Sequence, residues 1–212
     1  MSDGFFLVLE GPEGAGKSTL SSALAARMRS RGLDPVVVRE PGGTPAAERV
    51  REALLDPANR FDPPTELLYV AAARAHLVQS IIRPALETGR TVVSDRYDLS
   101  TVAYQGAGRG LDRGIVDTVN RVATGGLRPD LTLVLDLPPA AGRARQQAAG
   151  KARDRMERED AAFHDRVAAA YLAATGPGVR HLDGSGSPAE VLEAAWAMLA
   201  EARPETFGGA GG

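Results

Sequence analysis

Cysteine is absent from the 212 residues, which excludes disulfides and thiolate metal sites and is compatible with a reducing compartment. Lysine is scarce as well: Lys17 and Lys151 are the only two in a chain rich in arginine. No apolar run approaches the ~20 residues that a membrane span requires. The formal net charge of −2 gives no general drive toward nucleic acid or membranes. Met1-Ser2-Asp3-Gly4 carries no basic region ahead of a signal-like apolar core. These absences predict a cytoplasmic protein with neither nucleic acid nor membrane as a partner. With 43% hydrophobic and 25% charged residues, a chain of this length buries a core without staples. No repeat or linker divides it, so a single domain over 1–212 is expected.

What is present is organised around GPEGAGKS at 11–18. The apolar run Phe5-Phe6-Leu7-Val8-Leu9 precedes it, and a helical pattern from Thr19 to Met28 follows. Strand, Gly-rich turn, GK[ST], helix is the context in which a P-loop motif carries meaning. Gly11, Gly14 and Gly16 permit backbone approaches that a Cβ would obstruct. The inward N–H groups and the start of the helix favour anions. Gly11, Pro12, Glu13, Gly14, Ala15, Gly16, Lys17, Ser18 and Thr19 therefore form a nucleotide-phosphate site. In it Lys17 reaches the β- and γ-phosphates and the Ser18 hydroxyl ligates Mg²⁺. A lysine retained here in so arginine-biased a chain fits a need for a compact ammonium.

Further along, Pro35-Val36-Val37-Val38 reads as a short strand running into Arg39-Glu40-Pro41-Gly42-Gly43-Thr44. Thr44 is placed to cap a helix through about Leu55, with Pro45 in its first turn. Arg39 is either a solvated loop arginine or an anion ligand at the sheet edge where open α/β sheets bind. One amphipathic helix is expected from about Thr65 to Leu86, with Val70 and Arg74 on its apolar stripe. A guanidinium on that stripe is costly unless an internal carboxylate or a ligand meets it; the ligand is the preferred reading. Thr91–Asp95 is a third strand, followed by Arg96-Tyr97. Asp95 is placed for Mg²⁺ or its waters, and Arg96 for a second anion. Asp136, closing a fourth strand Leu131–Asp136, ranks second to Asp95. Residues 98–110 have the composition of a pocket wall, and a helix follows from Leu111 to about Ala123. The charged stretch 143–160 is either a solvated helix pair laced with ion pairs or a mobile lid carrying arginines. A last strand, Val179–Asp183, precedes a capping box at Ser187–Glu190 and a helix to about Arg203. The glycine-rich tail is expected to be flexible. Five strands alternating with helices predict an α/β fold, a doubly wound five-stranded parallel sheet with helices on both faces.

Two phosphate stations emerge: the P-loop, and the guanidinium groups of Arg39, Arg74 and Arg96, which are expected to face the cleft free of carboxylate partners. A switch GTPase would need only the first, together with an Asn-Lys-x-Asp guanine reader, which is absent. Two facing stations argue for phosphoryl transfer between bound nucleotides.

In the order P-loop with Glu13, Arg39-Glu40-Pro41-Gly42-Gly43-Thr44, Asp95-Arg96-Tyr97 with Ser100, Ala103-Tyr104-Gln105-Gly106 and Asp154-Arg155-Met156-Glu157, the chain resembles the thymidylate kinase family over nearly its whole length. The resemblance implies a P-loop NTPase fold and a cytoplasmic homodimer. It also implies Mg²⁺-dependent transfer of the γ-phosphoryl of ATP to dTMP. It assigns Arg39 and Arg96 to the dTMP phosphate, Arg74 to a thymine carbonyl, and Glu13 to the 3′-hydroxyl. Ser100 or Thr101, together with Gln105, would meet the base, and Tyr104 would crowd the 2′ position. Catalysis would fall to Lys17, Asp95, Arg96 and the lid arginines Arg153 and Arg155, with a lid at about 143–158 and a flexible tail at 204–212. Val70 stands where the family usually carries an aromatic that stacks on thymine. That departure keeps open a kinase for another nucleoside monophosphate. A catalytically idle nucleotide-binding protein is the remaining alternative.

Overall fold

Along β1 (Phe5–Glu10) the side chains alternate between two cores: Phe5, Leu7 and Leu9 enter one, Phe6 and Val8 the other. That is the two-residue repeat of a strand buried on both faces. The computed structural model describes residues 4–148, 150 and 153–209. After β1 come α1 (Lys17–Ser30), β2 (Val36–Arg39), α2 (Pro45–Leu55) and α3 (Pro63–Leu77), which continues through a π-helical turn, Val78–Ile82, into α4 (Arg83–Glu87). Then follow β3 (Thr91–Asp95), α5 (Asp98–Thr101) with a π-helical extension over Val102–Gly108, α6 (Arg113–Thr124) and β4 (Leu131–Asp136). α7 (Pro139–Ala148), α8 (Ala161–Leu172), β5 (Val179–Asp183), α9 (Pro188–Ala202) and α10 (Pro204–Phe207) complete the described chain.

The five strands are all parallel, in the order β2-β3-β1-β4-β5. One face packs on α1, α9 and α10 through Leu20, Leu24, Met28, Trp196 and Leu199. The other packs on α3 and its π-helical extension through Leu77, Val78 and Ile82, and on α8 through Phe163, Val167 and Tyr171. This is the expected three-layer α/β arrangement. Pairing of Leu9 with Asp95 sets the ends of β1 and β3 side by side. The P-loop and Asp95-Arg96 therefore emerge together at the carboxyl edge, where ligands of such sheets bind.

Local signals hold closely. Thr44 accepts from the Ala47 N–H at 3.1 Å, and both halves of the Ser187–Glu190 capping box are made. Three expectations are corrected. The single helix to Leu86 is interrupted by the π-helical turn, whose extra residue shifts the apolar stripe so that Leu77, Val78 and Ile82 all face the sheet. α8 was not foreseen. The tail is docked through α10: Phe207 is buried, edge-on to Phe5 at 5.3 Å and to Trp196 at 5.8 Å. Lys151 and the tail's Ala210-Gly211-Gly212 lie outside the described residues.

Candidate active site

Gly11 sits at φ 136 against the Leu135 carbonyl, and Gly14 at φ 76 against the backbone of Gly142; a Cβ at either would collide with main chain. That close packing shapes the turn ahead of α1. The Lys17 ammonium donates to the carbonyls of Gly11 (2.9 Å) and Pro12 (2.8 Å). Burial, with the Arg96 cation nearby, pushes Lys17 down to about 7 against the pull of Asp95, Glu10 and Glu13. The Ser18 hydroxyl donates to Asp95 at 2.6 Å. A magnesium ion that keeps waters and phosphate oxygens needs only such a hydroxyl–carboxylate pair from the protein. These residues fit it, and no group of three or more acidic, His or Cys ligands occurs among the described residues. Asp136 is turned to β5 instead, paired with His181 at 2.9 Å.

The P-loop forms the floor of a cleft of about 990 Å³. Glu13 to Thr19 line it directly, whereas Gly11 and Pro12 contribute the carbonyls that hold Lys17. Arg39, Val70, Arg74, Asp95 and Arg96 line the facing wall, together with Ser100, Thr101, Tyr104 and Gln105. Arg96 adopts the left-handed region, φ 78, which is strained for a side chain of this size. Its guanidinium is held by hydroxyls, Tyr171 at 3.0 Å, Tyr104 at 3.1 Å and Ser100 at 3.3 Å, and by the Gly11 carbonyl at 3.3 Å. No carboxylate touches it, and its Nε–H has no protein partner among the described residues. Arg74 is only 1% exposed and is saturated more heavily. It pairs with Glu40 at 2.6 Å and donates to Thr101, Asn120 and the Tyr97 carbonyl, each at 2.7 Å. Burial lifts Glu40 to about 7 against the pull of Arg74. Arg39 is exposed and meets Glu48 at 3.1 Å.

From α7 and the stretch after it, Arg143, Arg145 and Arg153 line the cleft. Arg145 also anchors α7 to the carbonyl of Gly184 at 2.9 Å. Gln146 donates both to Glu13 (3.1 Å) and to Glu157 (2.8 Å).

A family model described as Thymidylate kinase matches residues 9–194. The chain belongs to the thymidylate kinase family. A Thymidylate kinase of Thermomicrobium roseum is 49% identical over 200 residues, 93% of this chain and 95% of that one. One of Pseudomonas fluorescens strain SBW25 is 51% identical over 200 residues, 92% and 95% of the two chains. One of Deinococcus radiodurans is 51% identical over 172 residues, 81% and 83% of the two.

For a member of this family, two sequence expectations need correction. The three guanidinium groups do not all wait free of carboxylates, since Arg74 and Arg39 have acidic partners and only Arg96 has none in contact. Arg74 is both paired and cleft-lining, because a fully buried guanidinium requires a countercharge before any ligand arrives. Arg155 is not a cleft arginine: it is buried, pairs with Glu66 at 2.8 Å and donates to the Leu54 carbonyl at 2.7 Å. Its side chain spans to α3 and stacks over Phe61 at 5.2 Å.

Four residues of the site were missed. Glu10 was concealed as the last residue of an apolar strand, although a carboxylate closing such a run is itself a signal. Tyr171 lies on the unforeseen α8, whose Phe163, Val167 and Tyr171 recur at helical spacing. Arg51 on α2 adds a half-buried guanidinium to the cleft wall, its pKa lowered by burial and by Arg39. Glu66, buried on α3, holds Gln105 at 2.8 Å.

Proposed function

We propose that this chain transfers the γ-phosphoryl of ATP to dTMP, giving dTDP and ADP. The observation that carries the reading is the facing of two phosphate stations across one cleft, Lys17 in the P-loop and Arg96 with an open donor edge. A bond forms between a dTMP phosphate oxygen and the γ-phosphorus while the bond from that phosphorus to the β,γ-bridging oxygen breaks, and ADP leaves with the electron pair. The attacking oxygen is already ionised near neutral pH, so no general base is required. The chain's task reduces to alignment and charge stabilisation.

On this reading Arg96 and Arg39 hold the acceptor phosphate. Glu13 accepts from the 3′-hydroxyl, and Tyr104 closes the space a 2′-hydroxyl would occupy. Arg74, Ser100, Thr101 and Gln105 face the base, with Val70 as a plain apolar contact on the ring. Lys17 grips the donor phosphates, and Arg153 is the lid arginine delivered to the transferring group. Ser18 and Asp95 hold Mg²⁺, which when bound neutralises phosphate charge. A homodimer accompanies this reading, supported by Leu68, Ile115 and Val122, exposed on the packed helices α3 and α6. A cytoplasmic location is likewise inferred; no helix among the described residues is long and apolar enough to cross a membrane.

The test is a turnover screen of ATP with dTMP, dUMP, dCMP, dGMP and UMP. dTMP is expected to have the highest kcat/KM. A preference for another monophosphate would overturn the substrate, and ATP binding without any dTDP formed would overturn the reaction.

A further inference from the structure

We infer that Glu10 is a positioning residue for Arg96, fixing it through hydroxyl groups so that its positive charge stays available to the acceptor phosphate. The inference rests on the reading that Arg96 holds that phosphate.

Glu10 is the last residue of β1 and is completely buried. By the strand's alternation it follows Phe6 and Val8 onto the α3 and α8 side of the sheet. Three of its four hydrogen bonds hold the segment after β3, and the fourth holds Tyr171 on α8. Oε1 accepts the N–H of Tyr97 at 2.8 Å and the N–H of Ser100 at 3.0 Å. Oε2 accepts the Ser100 hydroxyl at 2.6 Å and the Tyr171 hydroxyl at 3.1 Å. The backbone of Arg96 is thus clamped from both sides. Its own N–H donates to Leu9 at 2.9 Å, its carbonyl accepts from Ser94 at 2.7 Å, and the next residue is tied to Glu10. A left-handed, non-glycine conformation persists only where surrounding contacts over-determine it.

The electrostatic arrangement matters as much as the geometry. A carboxylate in contact with Arg96 would hold the guanidinium by the same donors that a phosphate uses. Here the carboxylate lies one hydroxyl further away: Ser100 and Tyr171 give their protons to Glu10 and their lone pairs to Arg96. Tyr104 repeats the pattern on the other side, accepting from Arg96 and donating to Glu13 at 3.4 Å. Arg96 keeps its charge with a countercharge nearby, and the Nε–H edge suited to bidentate phosphate contact stays open. Burial raises the pKa of Glu10, while the Arg96 charge and the donors around it pull it back.

Glu10→Gln keeps the volume but places an amide N–H₂ against two hydroxyl donors or two backbone donors. It is expected to raise KM for dTMP about 10–100-fold, with KM for ATP changed less than about threefold. Tyr171→Phe, which leaves Glu10 its backbone donors, is expected to shift the same parameter in the same direction by about 3–10-fold. It stands as the test should Glu10→Gln not fold. The decisive comparison is a double-mutant cycle with Arg96→Ala. Each substitution is expected to change kcat/KM for dTMP less than about twofold in the Arg96→Ala background. If the effects multiply in full, or if dTMP KM is unmoved in folded variants with Arg96 intact, Glu10 only supports the fold and the inference is wrong. If Arg96→Ala itself leaves dTMP KM unchanged, it is the underlying reading of Arg96 that fails.

Discussion

Nucleotide binding should draw a proton onto Lys17. In the free protein this lysine is pushed down to about 7 because burial and Arg96 oppose its charge. The donor phosphates replace the carbonyls of Gly11 and Pro12 as its partners and favour the ammonium form. With a free pKa of about 7, only about one lysine in eleven is protonated at pH 8, so binding takes up about 0.9 proton there and about 0.5 at pH 7. The bound state holds more protons than the free state; affinity therefore tightens as pH falls toward 7 and weakens up to about tenfold per unit above it. The assay is calorimetric titration with a non-hydrolysable ATP analogue and magnesium at pH 8, repeated in buffers of different ionisation enthalpy. The terminal phosphate, with a second pKa of about 6, is already ionised at that pH. Lys17→Arg supplies the control, since a guanidinium stays charged throughout; its uptake should fall near zero. Uptake below about 0.2 proton by the unaltered protein at pH 8 would refute the reasoning.

Two further outcomes separate the stabilising charges from the working ones. Glu66→Gln strips the countercharge from buried Arg155 and half-buried Arg109, although Arg109 keeps Glu159 at 2.7 Å. The loss should lie near the lower end of ~3–5 kcal/mol, lowering Tm by about 6–12 °C; a shift under about 2 °C in a thermal melt contradicts the pairing. Arg153→Ala should lower kcat at least about tenfold, with KM for dTMP little changed, given the ~10³–10⁵ that an arginine contributes in related phosphoryl transfers. Arg155→Ala should instead lower Tm, with a smaller effect on kcat, and equal kcat losses in the two variants would contradict the separation.

Much of the fold and of the P-loop geometry was legible because it depends on local chemistry. The glycines of the P-loop, the caps at Thr44 and Ser187, and Asp95 at the end of an apolar strand each act within a few residues. The acceptor side was legible only in part. Arg74 was visible as a misplaced charge on an apolar stripe, but its partner Glu40 lies 34 residues away and meets it only through packing of β2 against α3. Arg155 was assigned to the cleft by the family resemblance of its charged stretch, whereas the reach of Glu66 from α3 decides its direction. Glu10 and Tyr171 are 161 residues apart and meet only because β1 and α8 share a face of the sheet. Long-range pairing of this kind leaves no spacing to read.

The central claim, that Arg96 presents a nucleoside monophosphate to the P-loop, is tested most directly by titrating dTMP into the unaltered protein and into Arg96→Ala. The account expects at least a tenfold loss of dTMP affinity, since one to two hydrogen bonds to a charged group contribute ~1.5–3 kcal/mol each, with affinity for the ATP analogue within about twofold. Unchanged dTMP affinity in a folded Arg96→Ala protein would contradict it.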